Sequence, residues 1–193
     1  MGDDPILNGR ACGDCTLCCK VLSIAELDKP QGKWCGHCKI GDGCKIYDER
    51  PTECRTFYCG YLTWPMVDEN WFPARSKLVI VSELEGHRIA VHVDPGRPNA
   101  WREQPFYNEL KQWSAFAAED RHQVVVCIGN RAIVIFPNRD VDLGPVASDE
   151  RIITLESKGP MGNRLEAMKL KADDPRIAGM MPGKLYRPGK GAF

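Results

Sequence analysis

The chain has no charge bias, no long apolar run and no basic leader. Lys plus Arg and Asp plus Glu both number 26 among 193 residues, so the formal net charge is zero. A balanced chain presents no global field to nucleic acid or to an anionic membrane. Basic residues interleaved with aromatics are also missing, which counts against nucleic acid as a partner. No uninterrupted apolar segment is long enough to span a bilayer. The stretch Met1-Gly2-Asp3-Asp4-Pro5-Ile6 is acidic and lacks the basic and apolar regions of a secretory signal. Ile6 also stands where a myristoylation signal after Gly2 requires Ser or Thr. These absences predict a cytoplasmic protein without a membrane partner. A glycine-rich phosphate loop, a nucleophile elbow and an HExxH sequence are absent too, so no familiar catalytic constellation is legible.

What the chain does have is sulfur. Nine of its ten cysteines fall between Cys12 and Cys59. They read Cys12-x2-Cys15-x2-Cys18-Cys19, then Cys35-Gly-His37-Cys38, Gly43-Cys44 and Cys54-x4-Cys59. Thiols this dense either cross-link or hold metal. Disulfide frameworks belong to oxidising compartments, and the short x2 spacings suit ligation better than cross-linking, so we read the cysteines as metal ligands.

Two local conformations are open for the first run. On a helix, positions 12, 15 and 19 fall along one stripe, with Cys18 at its side. Gly13 and Asp14 instead favour a tight ligating turn. On a helix the neighbours Cys18 and Cys19 diverge by about 100°, which suits them to two metal ions, or to two irons within one cluster, better than to one tetrahedral ion. Nine thiols plus His37 also exceed the four ligands of one closed zinc site, so more than one ion is expected. Ser23-x-x-Glu26 reads as a capping box for a short helix stopped by Pro30. Gly36, Gly41 and Gly43 supply turns that gather Cys35, Cys38 and Cys44. Pro51 opens a further helix that carries Cys54 and ends near Cys59-Gly60. Arg55, directly after a ligand, is the arginine expected to balance thiolate charge, with Arg50 reading as a surface residue.

The run Cys12-x2-Cys15-x2-Cys18-Cys19, then Cys35, then Gly43-Cys44-Lys45-Ile46-Tyr47-Asp48-Glu49-Arg50-Pro51-Thr52-Glu53-Cys54-Arg55, resembles the YkgJ-type CxxCxxCC cysteine-cluster family. The resemblance covers residues 12 to 59. It implies a zinc- or iron–sulfur-binding domain, and a related motif in flagellin lysine N-methylases links it to modification chemistry. All-thiolate sites suit both zinc and iron–sulfur clusters. The spacing matches neither the bacterial nor the plant-type ferredoxin pattern.

Beyond the cysteines the pattern changes. Residues 77–81 and 88–93 alternate around Glu85-Gly86 as a hairpin. Phe106, Leu110, Trp113 and Ala117 recur at helical spacing within a helix from about Pro105 to Ala118. Val124 to Ile128 and Ala132 to Phe136 flank a Gly129-Asn130 turn as a second hairpin. Ile152 to Leu155 adds an edge strand. Cys127 lies inside an apolar strand and reads as a buried hydrophobe, and His87, His92 and His122 read as structural or exposed. Residues 158 to 193 hold eight basic and three acidic side chains. They read as an extended tail, with one short helix from Asn163-x-x-Glu166 to Pro175.

The predicted fold is α+β: a cysteine-rich metal-binding module of short helices and loops packed on a small antiparallel-sheet domain with one main helix. The predicted boundaries are 1–73 for the module, 74–156 for the ββ-α-ββ(β) domain and 157–193 for the basic tail. The expected function is zinc or iron–sulfur binding by Cys12, Cys15, Cys18, Cys19, Cys35, Cys38, Cys44, Cys54 and Cys59, with His37 as a further candidate ligand. The metal would support a recognition domain for an unknown protein or small-molecule partner. The alternative is an iron-dependent redox or oxidative-modification enzyme using the same cluster.

Overall fold

Turns and single helical turns make up the cysteine-rich third, because it has too few apolar residues to bury longer elements. The computed structural model describes residues 5–159, 162–180 and 185–186. The α-helices of this third are α1 (Cys18–Val21), α2 (Thr52–Arg55), α3 (Gly60–Thr63) and α4 (Pro73–Ser76), each four residues long. Strands β1 (Cys38–Lys39) and β2 (Gly43–Cys44) form a two-residue antiparallel ladder.

Longer elements follow once the apolar content rises. They are β3 (Leu78–Glu83), β4 (Arg88–Val93), the helix α5 (Phe106–Glu119), β5 (Gln123–Ile128), β6 (Arg131–Ile135) and β7 (Asp140–Pro145). After them come β8 (Glu150–Gly159), β9 (Gly162–Lys171) and β10 (Leu185–Tyr186). One sheet has the order β3-β4-β5-β6-β7 and a second the order β10-β8-β9. The architecture is α+β, and both predicted hairpins and the predicted main helix are present. Phe106, Leu110, Trp113 and Ala117 are all buried, as their helical spacing requires.

The chain divides into two compact units. One comprises Met1–Val81 and Val91–Phe106, the other Ser82–Ala90 and Tyr107–Phe193. In the first unit, fully buried Trp71 stands edge-on to Phe106 with ring centroids 4.8 Å apart. Gly60 is bare because a Cβ there would stand 3.1 Å from carbons of Ile80 and Trp64. In the second unit, Val125, Ala132, Val134, Phe136 and Ile152 form the apolar cluster, and Cys127 packs against it. Burial pushes the Cys127 thiol up to about 12, as for a hydrophobe rather than a nucleophile. Lys111 pairs with Asp140 at 2.6 Å, and Tyr107 donates to the same carboxylate at 3.0 Å. His87 and His122 bond each other at 3.2 Å, and buried His92 meets Gln31 at 2.8 Å.

Four local readings are corrected. Ser23 caps nothing: the short 3₁₀ turn Ala25–Leu27 has Ile24 at its N-cap, and Asp28 closes it with left-handed backbone (φ 48°). Pro51 precedes α2 rather than opening it, and α2 ends at Arg55. Cys59 instead precedes α3 in extended conformation. Residues 152–155 lie inside a ten-residue strand of the second sheet, paired from Glu150↔Lys171 to Gly159↔Gly162. The helix expected from Asn163 to Pro175 is therefore β9. Leu165 and Ala167, two residues apart, both pack on the apolar cluster, and that burial outweighs the local capping signal. Of the expected tail, residues 160–161, 181–184 and 187–193 lie outside the described residues. Strand β7 had no strong sequence signal, since Asp140, Asp142 and Gly144 interrupt its apolar residues.

Trp71→Ala removes a side chain with no solvent exposure. It should cost about 3–5 kcal/mol of stability in urea unfolding, and a loss below about 1 kcal/mol would contradict its place in the core.

Candidate functional site

Four chain segments bring the nine N-terminal thiols around one region, and all nine are free. The first run is a turn followed by a helix. Gly13 takes left-handed backbone (φ 54°), and the Cys15 amide donates to the Cys12 carbonyl at 2.9 Å. Cys18 and Cys19 then form the first turn of α1. The second segment is tied to the first by backbone, because the Cys35 amide donates to the Cys19 carbonyl at 3.0 Å. Cys38 and Cys44 stand opposite each other in the β1–β2 ladder. Helix α2 carries Cys54, and Cys59 precedes α3.

Side chains distant in sequence hold these segments in place. Arg10 donates to the Tyr61 carbonyl at 2.5 Å, to the Trp64 carbonyl at 3.0 Å and to that of Val67. That clasp anchors the chain just before Cys12. Buried Thr16 accepts from the Gly41 amide at 3.2 Å. Glu53 accepts from the Ala25 amide at 2.9 Å while Glu26 accepts from the Glu53 amide at 3.3 Å. Lys20, next to Cys19, pairs with Asp94 at 2.5 Å.

Cys12, Cys15, Cys18, Cys19, Cys35, Cys38, Cys44 and Cys54 line a chamber of about 400 Å³, with His37 in its wall. A smaller hollow of about 100 Å³ is bordered by Cys59 together with Cys12, Cys15, Cys18 and Cys54. Each of the nine predicted ligands therefore borders a hollow, and four border both. Cys18 and Cys19 both line the large chamber, and Cys18 also borders the smaller hollow. Among the described residues no three Cys, His, Asp or Glu side chains converge tightly enough to hold one ion. The thiols form a lined chamber rather than a closed coordination shell.

Crowding and burial act together on these groups. The neighbouring Cys18 thiol raises Cys19 strongly, with burial adding to it. Burial first, with Cys19 and Cys35 adding to it, raises Cys38 to about 11. Burial also raises Cys59 to about 11, with smaller contributions from Cys12 and Cys15. Cys12, Cys15 and Cys54 are raised by burial first and by neighbouring thiols as well. Buried sulfurs that crowd one another hold their protons until a cation replaces them.

The basic residues are arranged differently from expectation. Arg55 is exposed and borders neither hollow, whereas Arg50 borders both. Arg50 donates to the Tyr47 carbonyl at 2.8 Å and stacks 3.6 Å over the Tyr47 ring. Its charge lowers Cys12 and Cys54 against the effect of burial. Lys29, unremarkable in sequence, borders neither hollow but is buried, with its ammonium on the Lys20 and Leu22 carbonyls at the end of the helix that bears Cys18 and Cys19. No spacing rule identifies it, since a lysine before Pro30 reads as loop surface. Comparisons of the chain with protein-family models, curated proteins and solved structures found no match.

Titration of the metal-free protein tests the crowding. Cys38 and Cys59 favour the protonated form in the fold, so their stabilising contribution is intact below the ordinary thiol value of 9.0 and is lost as pH rises through about 11. The urea midpoint of the reduced, chelator-treated protein should fall across that window. A flat midpoint would show that these thiols are not buried together.

Proposed function

We propose that the cysteine-rich unit is a zinc or iron–sulfur binding module that takes more than one metal ion. The observation that carries this reading is the gathering of nine free thiols from residues 12 to 59 around two adjoining hollows. Their chemistry fits the group. Sulfur donors select zinc and iron–sulfur clusters, and nine exceed the four of a closed zinc site. The CxxCxxCC resemblance of residues 12 to 59 points the same way. Cys12, Cys15, Cys18, Cys19, Cys35, Cys38, Cys44, Cys54 and Cys59 would hold the metal, with His37 in the chamber wall as a further donor. When bound, zinc would cross-link these loops, and an iron–sulfur cluster would add one-electron chemistry.

The chain's own residues bring the segments together, exclude water from part of the sulfur and supply positive charge through Arg50 and Lys29. The remaining α+β structure would serve as a recognition domain for a protein or small-molecule partner. Reduced thiols in this number suit the cytoplasm. No helix among the described residues is long and apolar enough to cross a membrane.

A second reading is an iron-dependent redox or oxidative-modification enzyme. Its support is the chamber wall, where Leu22, Ile24, Leu27, Ile46 and Phe57 stand beside the sulfurs. Such apolar lining suits a small substrate next to a cluster.

Anaerobic purification followed by metal analysis and an absorption spectrum separates these readings. A brown protein bleached by dithionite assigns iron, and a colourless one with stoichiometric zinc assigns zinc and removes the redox reading. Metal below stoichiometry, zinc and iron alike, refutes the proposal. Cys19→Ser and Cys54→Ser should each lower the metal content, whereas Cys127→Ser, in the apolar cluster of the other unit, should leave it unchanged.

A further inference from the structure

Lys29 is a buried lysine of the cysteine-rich unit. It is 7% exposed, and its ammonium donates to the Lys20 carbonyl at 3.0 Å and to the Leu22 carbonyl. Both carbonyls lie at the C-terminal end of the helix that bears Cys18 and Cys19. Among the described residues Lys29 forms no ion pair with a carboxylate. Lys20, by contrast, has Asp94 at 2.5 Å. The thiols of Cys19, Cys35, Cys18 and Cys54 act on Lys29 electrostatically.

A buried ammonium without an anion is unfavourable, and carbonyl dipoles offset only part of that cost. Thiolates held by a metal at the adjoining Cys18 and Cys19 would supply the negative charge that Lys29 lacks. Four thiolates around a divalent cation retain two net negative charges, which a fixed cation nearby stabilises.

We propose that Lys29 is the built-in counter-cation of the thiolate assembly, a positioning residue that ligates nothing and favours the metal-loaded state by its charge. This rests on the metal-binding reading and deepens it. It assigns the anionic assembly a specific partner that the cysteine spacing does not reveal. Arg50 is the outer counterpart, held on Tyr47 at the border of both hollows.

The test uses the full-length protein, reduced and stripped of metal, titrated with Co²⁺ against a chromophoric competing chelator. Lys29→Gln keeps hydrogen-bond donors for the two carbonyls but removes the charge. Lys29→Arg keeps both. The expected result is at least about a tenfold weaker Co²⁺ affinity for Lys29→Gln, with Lys29→Arg within about threefold of the parent. The pH of half-maximal Co²⁺ binding should also rise for Lys29→Gln, because the thiols then ionise without a neighbouring cation. Unchanged affinity and pH profile in Lys29→Gln would overturn the proposal. So would an equal loss in both variants, which would make shape rather than charge the determinant. If Lys29→Gln alters the metal-free far-UV spectrum, Lys29→Arg decides alone: retained affinity supports the proposal and lost affinity overturns it. A parent protein that binds no Co²⁺ would instead refute the metal-binding reading, a separate outcome.

Discussion

Mutual repulsion among crowded thiolates is the constraint around which the first unit is organised. The sulfurs from Cys12 to Cys59 can share two small hollows while they keep their protons. Ionised, they repel one another in partly buried surroundings unless cations stand among them. Burial and neighbouring sulfur both push these groups toward the protonated form, and Arg50 and Lys29 push the other way. The balance between those forces separates a metal-free chamber from the loaded assembly that we propose.

That constraint explains how the unit is held together. Its cysteine-bearing segments contribute few buried aliphatic side chains beyond Leu17, Val21 and Ile24. Within those segments specific polar ties stand in for apolar packing: Arg10 on three carbonyls, Thr16 on Gly41, Glu53 accepting the Ala25 amide while Glu26 accepts that of Glu53, and Cys35 bonded through its amide to Cys19. The second unit depends on a different principle. There the apolar cluster around Val125, Val134 and Phe136 follows the two-residue period of its strands, and Cys127 is part of that packing rather than of the sulfur chemistry.

Much of this was legible from pattern. Strands β3 to β6 and helix α5 follow from apolar periodicity, because a strand or helix long enough to show its period buries one face regardless of distant partners. The gathering of the nine cysteines likewise follows from their density. Short elements were less legible. Ser23-x-x-Glu26 has the letters of a capping box, yet Glu26 accepts the amide of Glu53, so a remote partner overrode the local signal. Asn163-x-x-Glu166 failed in the same way, since Leu165 and Ala167 gain more by facing an apolar cluster than a one-turn helix would provide.

Residue types and their spacing were enough to establish an α+β chain with a concentrated sulfur donor set and one long amphipathic helix. Those features depend on local period and on composition, which survive without knowledge of the fold. Which arginine borders the sulfurs, that Cys18 and Cys19 line one chamber, and that Lys29 is buried without a carboxylate among the described residues all emerged from three-dimensional placement. Charge compensation is a matter of distances between segments far apart along the chain, and nothing in their local order encodes those distances.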